Sequence, residues 1–413
     1  MSDSISQKGD IGQGRIQPGR YLWIVLALIT SAAVTQALMR QGLPVFYPFI
    51  QDEFGLSRAQ VGLITSFNGA GSAIMAILAG WLADTFGVKR MITIAMLMLT
   101  ATILLLPLAY SFPLLLSLSL LLGIVVSPIP PAMTRAILDW FPVRIRALAM
   151  SIKQTGIPIA GAITAAMLPA LAVVIGWRMA AAVPGLLVLV IAIAFIWLYR
   201  DAPQGIQTVH KFNLAALKTI LLNRGLVTTI IWGATFVGFQ FIALSYLMLF
   251  LIEELELSPI MAGGLLAIAH VSSIIARVTW GAVSDFVLRG RRIVVLTLAG
   301  FLTILWMLGA SFMGVGVPSI TVYLIAIVVG ISTMSFHGVY VTFIGEQAGP
   351  GQVGLTIGVS NMAVYVSQVV MPPLFGYLVD ISSSYSLSWR ATAAVALVCT
   401  LALLAFGRET QHR

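Results

Sequence analysis

Uncharged runs of a particular length dominate the chain. Charge-free stretches cover 59–83, 154–177, 179–199, 225–252, 257–276, 347–379 and 391–407, and two longer ones cover 91–134 and 293–345. A helix that crosses a bilayer needs about 20 mostly apolar residues. The two long runs are each more than twice that, so each folds back once. Their breaks are Ser111-Phe112-Pro113 and the glycine- and proline-rich segment 314–318. A further run from about 21 to 50 is interrupted only by Arg40. The pattern predicts an all-α integral membrane protein of twelve transmembrane helices, roughly 21–50, 59–83, 91–110, 113–139, 147–175, 179–199, 225–252, 260–284, 293–311, 319–344, 353–379 and 391–407.

Composition agrees. Of 413 residues, 59% are hydrophobic and 9% charged, against about 25% charged in a soluble domain. A water-soluble fold is excluded. The lone cysteine, Cys399, excludes a disulfide framework and zinc sites built on cysteine pairs. Histidines at 210, 270, 337 and 412 are too scattered to suggest a metal cluster, and neither a metal nor another cofactor is expected. The net charge of +9 takes its meaning from where the basic residues fall: sixteen lie in tails and loops on the side of both termini, and three, Arg58, Arg178 and Arg390, lie opposite. By the positive-inside rule both termini are cytoplasmic. The excess is topological, and nucleic acid is not expected as a partner. The polar first twenty residues and the long helix after them do not read as a cleaved signal.

Shifted by 201 residues, the chain meets its own punctuation: Ser57 with Ser258, Gly62 with Gly263, Gly80 with Gly281 and Asp84 with Asp285. WRMAAAV at 177–183 returns as WRATAAV at 389–395. The organisation expected is a cytoplasmic tail (1–20), a six-helix half (21–199), a cytoplasmic linker (200–224), a second six-helix half (225–407) and a short tail (408–413). Leu214, Leu217 and Leu221 fall on one side of a short helix in the linker. Parallel six-span repeats around a midplane site are a transporter architecture.

GWLADTFGVKR (80–90) and GAVSDFVLRGRR (281–292) resemble the paired loop signatures of the major facilitator superfamily, and the resemblance covers essentially the whole chain. Thr85 and Phe286 depart from a usual basic residue after the aspartate. The resemblance implies that Gly80, Asp84, Gly87, Lys89 and Arg90, with Gly281, Asp285, Arg291 and Arg292, take part in gating between the halves. Interfacial solvation is the plainer alternative.

Four basic residues lie inside predicted spans: Arg40, Arg135, Lys153 and Arg277. A charge in hydrocarbon costs at least ~2.5 kcal/mol, so such groups face a cavity or a partner. All fourteen acids fall in tails, loops or helix ends, which leaves an anionic substrate as a natural counter-ion. None of the four is on helix 3, 6, 9 or 12, the outer supports in the superfamily. ARVTWGAVSD (276–285) resembles the eighth helix of monocarboxylate and oxalate:formate carriers, and that resemblance makes Arg277 the first candidate for binding carboxylate. Ser273 and Asn361 differ from the groups those carriers have nearby. SRAQVGL (57–63) and PVFYPF (44–49) are similar to organic-anion carriers whose first-helix Arg meets the anion, here Arg40 with Gln36 one turn earlier. Each of these two arginines is alternatively a structural donor. Lys153-Gln154 and Arg135 either reach the cavity or snorkel to the interface, and Asp139 reads as an ion-pair partner of Arg144 or Arg146. His270 and His337 are candidates for proton coupling and substrate contact, or neutral hydrogen-bonded groups. Tyr340, Asn361 and Tyr365 are further candidate contacts, with interhelical bonding as the alternative.

The reading that joins these features is a secondary active transporter that moves a small organic anion, a carboxylate, by alternating access, through proton symport or anion exchange. It is expected to work as a monomer in the cell membrane, a bacterial inner membrane. Helix 4 has Ser119 where drug:proton antiporters carry an Arg four residues before Gly123. The alternatives are a carrier or efflux pump for a neutral or cationic molecule, and a membrane sensor that has lost transport. An enzyme is not expected, since no paired carboxylates or activated nucleophile lie at depth.

Overall fold

A computed structural model describes residues 18–202, 214–349, 352–407 and 409, with the side chains of 18–20, 77, 79–85, 143, 147 and 214–216 left aside. Residues 1–17 of the expected tail, 203–213 of the linker and the final tail except 409 lie outside the described residues.

The chain forms helices throughout. Helix α1 (Pro18–Gly42) passes through a 3-10 turn (Leu43–Phe46) into α2 (Tyr47–Phe54). Pro44 lacks an N–H to continue the helix, and Gly42 lets α1 approach α7 closely, since a Cβ there would lie 2.9 Å from Leu168. Then follow α3 (Arg58–Phe86), α4 (Val88–Leu105), α5 (Phe112–Val126), α6 (Ile129–Trp140) and α7 (Val143–Leu198). The last is two arms: Gly176 has φ 78°, ψ 151°, a conformation that breaks the helix between the two predicted spans. The second half has α9 (Arg224–Glu253), α10 (Pro259–Ala282), α11 (Arg292–Ala310), α12 (Ser319–Ser332), α13 (His337–Gln347), α14 (Val353–Ser382) and α15 (Tyr385–Phe406), preceded by the linker helix α8 (Leu214–Leu222) where the leucine spacing places one.

Among the described residues ten stretches are long and apolar enough to cross a membrane, the 55 residues from Arg144 to Leu198 counted as one. Twelve crossings remain the expectation of the sequence. Two expected single helices are interrupted. The span expected over 113–139 stops at Val126 and resumes at Ile129, where Pro128 precedes Pro130 and Pro131. The span expected over 319–344 breaks at 333–336, between α12 and α13.

The repeat has a mechanical reading. Ser57 caps α3 by accepting from the Gln60 N–H at 3.3 Å, and Ser258 caps α10 by accepting from the Met261 N–H at 3.3 Å. Gly62, one turn into α3, lies so near α14 that a Cβ would come within 2.6 Å of the Pro373 backbone. Gly263, the equivalent on α10, would bring a Cβ to 2.5 Å from the Ala165 carbonyl of α7. Lipid competes for apolar surface, so close approach at small residues is what joins helices in a bilayer. The two halves therefore cross closely at α3 on α14 and at α7 on α10, on the membrane face away from the chain ends. Val190, Trp197, Ile275 and Val398 are exposed and form part of the surface that lipid covers.

Candidate functional site

The crossings tighten on the distal face and part on the proximal face, the one nearer the chain ends. Gln368 of α14 is 1% exposed and packs against Gly69 of α3, with its Nε2 3.4 Å from Asn68 Oδ1. Asn361 is seven residues earlier, two turns along the same face, and is exposed. The other crossing repeats this. The His270 ring lies against Gly161, where there is no room for a Cβ, while Gln154, two turns earlier on the same face of α7, is exposed. A gap between the halves thus opens toward the proximal face.

Arg40 ends α1, where helix carbonyls favour a cation. It is exposed although it lies deep within its span, and its guanidinium carbon is 5.2 Å from the centre of the Phe241 ring of the second half. Above it a chamber of about 20 Å³ is closed by Tyr47, Thr65, Asn68, Ser245 and Gln368, which is room for one water. The Tyr47 and Thr65 hydroxyls are 2.8 Å apart, and Thr65 and Ser245 are also 2.8 Å apart, a polar chain across both halves. Gln36, one turn before Arg40, is buried with its Oε1 unpartnered.

Arg277 is half-buried on α10 and donates from Nη2 to the Met334 carbonyl at 2.9 Å, while its Nε has no partner. Met334 lies in the break between α12 and α13. Trp280 donates to the Ile331 carbonyl at 2.8 Å, and Trp306 to the Thr333 hydroxyl at 2.8 Å. The freed carbonyls of the break are therefore held from neighbouring helices, as an interrupted membrane helix requires. Arg277 does in this structure what its structural alternative describes, and keeps one donor free.

Lys153 is 5% exposed and donates to Thr134 Oγ1 at 3.1 Å, so it is buried against α6 and does not snorkel. Arg135 is paired with Asp139 at 3.6 Å near the end of α6. That corrects the expected pairing of Asp139 with Arg144 or Arg146, since Arg146 instead donates to the Phe141 and Leu138 carbonyls at 2.7 and 2.8 Å. Among the described residues no carboxylate is within ion-pair reach of Arg40, Lys153 or Arg277. His270 is 2% exposed with Nε2 unpartnered, and His337 is half-buried at the start of α13. Tyr340 is buried in a notch at Gly233, its hydroxyl 2.8 Å from that of Ser360, and does not open on the gap. Tyr365 is half-buried one turn from Asn361.

The loop signatures bind helices of the same half. Arg292 donates to Asp285, to Glu346 at 3.1 Å and to Ser284 at 2.8 Å, tying α10, α11 and α13 together. The Lys89 N–H donates to Asp201 at 2.9 Å. Glu409 accepts from the N–H groups of Ile293 and Arg292 at 2.8 and 3.2 Å; burial raises its carboxyl above the usual range against the lowering effect of these bonds. Arg90 and Arg291 are exposed, and a Cβ at Gly281 would touch nothing within 4 Å. Gly87 joins α3 to α4. Gly80 and Asp84 are in the part of α3 whose side chains lie outside the described residues.

The sequence reading missed Thr65 and Ser245, which join Tyr47 in the polar chain, Asn68, which meets Gln368, and Phe241. Small polar residues inside a span were the available signal, but their meeting depends on how the halves cross.

The family model described as Major Facilitator Superfamily matches residues 29–363. A hexuronate transporter of Bacillus subtilis is 24% identical over 410 residues, covering 93% of this chain and 94% of that protein. A probable sulfoacetate transporter of Cupriavidus necator is 28% identical over 391 residues, covering 88% and 89%. Among solved structures, a D-xylose-proton symporter superposes with a TM-score of 0.79 at 16% identity, covering 95% of this chain and 99% of that one.

Proposed function

The chain belongs to the major facilitator superfamily and is a multi-pass membrane transporter, and from that premise we propose that it carries a small organic anion, a carboxylate or its sulfonate analogue, by alternating access. One observation carries the reading: Arg40 faces the gap with an aromatic ring beside it and no carboxylate partner. A guanidinium held deep within a membrane span without a counter-ion is costly, and a carboxylate offers it two parallel charge-assisted bonds. Hexuronate and sulfoacetate, the solutes named for the two relatives, are both anions. Arg40 is the anchor in this account. Arg277, with one donor spent on Met334, and the buried Lys153 add positive potential around the gap, and Gln154, Asn361 and Tyr365 supply polar contacts along it.

On this reading, sixteen basic residues on the side of both termini against three opposite make the proximal face cytoplasmic, and the gap is the inward-open mouth of a protein that works as a monomer in a bacterial inner membrane. The energy comes from proton symport or anion exchange, with His270 and His337 as the proton-carrying candidates within the spans. The loops around Asp285 and Arg292 keep their proposed part in gating by holding α10, α11 and α13 as one moving body.

The purified protein tests this against a panel of carboxylates, sulfonates, neutral sugars and organic cations. A ligand at 100 times its Kd stabilises the native state by about 2.7 kcal/mol. Anions alone are expected to raise the melting temperature, and stabilisation only by neutral or cationic solutes overturns the reading. Uptake into proteoliposomes with a proton gradient, or with internal anion and no gradient, separates symport from exchange.

A further inference from the structure

We infer that Glu253 is a proton-sensitive latch on the distal gate. Its carboxylate ends α9 in the second half and gathers donors from three other elements. Gln51 of α2 donates to Oε1 at 2.9 Å. Arg58, the first residue of α3, donates to Oε2 from Nε at 3.2 Å and from Nη2 at 3.0 Å. Tyr385 of α15 donates to the same oxygen at 2.9 Å. Gln51 and Arg58 belong to the first half, so this carboxylate joins the halves.

Arg58 is also held through its backbone. Asp380, at the distal end of α14, accepts from the N–H groups of Arg58 and Ala59, both at 2.9 Å. The Tyr246 hydroxyl of α9 donates at 2.8 Å to either the Arg58 or the Pro372 carbonyl. One residue of the first half is thus gripped by two helices of the second, α9 and α14. Among the described residues the other crossing shows no such grip: α10 meets α7 through Gly263 on Ala165 and Pro169 and through His270 on Gly161.

Glu53, on α2, is occupied by Arg178 at 2.7 Å and by Trp177 at 2.6 Å. Asp52 on the same helix and Glu256 in the turn after α9 are exposed, and Glu254, next to Glu253 in the chain, is half-buried. With Asp380 they leave this face with more carboxylates than cations. A proton on Glu253 turns the acceptor of a charged fork into a neutral acid. Bonds between neutral groups are roughly half as strong as charge-assisted ones, and Arg58 loses its ion-pair partner. Acid on the distal face therefore opens the distal mouth. Within the alternating-access reading, the proton then arrives from the side on which the mouth opens, which supplies a coupling site that requires no carboxylate deep in a span.

The test reads conformation without substrate, so its failure is distinct from failure of the anion reading. Spin labels go on Val174→Cys and Ile381→Cys, exposed positions near the distal ends of the first arm of α7 and of α14, in a full chain carrying Cys399→Ser. The distance between them is measured by double electron–electron resonance at pH 8 and pH 5. The unsubstituted latch is expected to give a short distance at pH 8 that lengthens at pH 5. Glu253→Gln is expected to give the long distance at both pH values, and Glu254→Gln to keep the pH response. A distance that does not change with pH, or a Glu253→Gln protein that stays short at pH 8 and still opens in acid, overturns the proposal. Should Glu253→Gln fail to fold, Arg58→Gln removes the same pair from the other side and is expected to give the long distance at both pH values; a short distance there overturns the proposal equally.

Discussion

Arg40 and Arg277 show how far a charge census reaches. Both stood out as arginines inside apolar helices, and the eighth-helix segment favoured Arg277. The proposed function ranks them the other way, because the Met334 carbonyl occupies one Arg277 donor, and that carbonyl is free only because the tenth span breaks at 333–336. No local signal in the sequence marks the break as strongly as a proline would. Removing one partner of a buried charged interaction costs about 2 to 5 kcal/mol, or roughly 30- to 3,000-fold in affinity. Arg277→Ala should therefore lower the melting temperature of the substrate-free protein, because it also strips the break of a donor. Arg40→Ala should leave that temperature nearly unchanged and lose anion stabilisation. A differential scan of the two variants with and without anion separates the roles. Glu253 and Arg58 were legible only as charges at helix ends; their pairing needs the crossing of α3 over α9 and α14.

At the scale of elements the sequence was more informative. The apolar runs located the helices, the self-alignment located Ser57 with Ser258 and Gly62 with Gly263, and the structure explains the latter pair as two of the places where helices of opposite halves touch closely. What the runs could not show is interruption: α1 stops before the 3-10 turn at Pro44, and the tenth predicted span breaks at 333–336. The glycines also divide by function. Overpacking a tight contact costs about 1 to 3 kcal/mol, so Gly62→Ala should loosen the distal seal. A thiol at Leu244→Cys, buried beside the chamber, should then react faster with an impermeant reagent applied to the distal face, in a Cys399→Ser background at fixed pH. Gly281→Ala adds a methyl where nothing lies within 4 Å and should leave that labelling unchanged.

The whole molecule is two bundles that meet on one face and part on the other. The superfamily fold was readable from the spans and the paired loop signatures, and the direction of opening was not, because it depends on how two equivalent helix faces are apportioned between contact and gap. If the halves must separate at the distal face during each cycle, a covalent bridge across that seam stops transport. Asn68→Cys with Gln368→Cys, whose native side chains are 3.4 Å apart, should cross-link under oxidation, abolish uptake, and recover on reduction. The central claim is that an intramembrane cation without a protein counter-ion receives the substrate anion. Its most direct test is uptake of labelled hexuronate and sulfoacetate into proteoliposomes by the unaltered protein, Arg40→Ala and Arg40→Lys. Saturable uptake of at least one anion that is lost in Arg40→Ala and partly kept in Arg40→Lys is the predicted result. Uptake by Arg40→Ala at the rate of the unaltered protein would contradict the account.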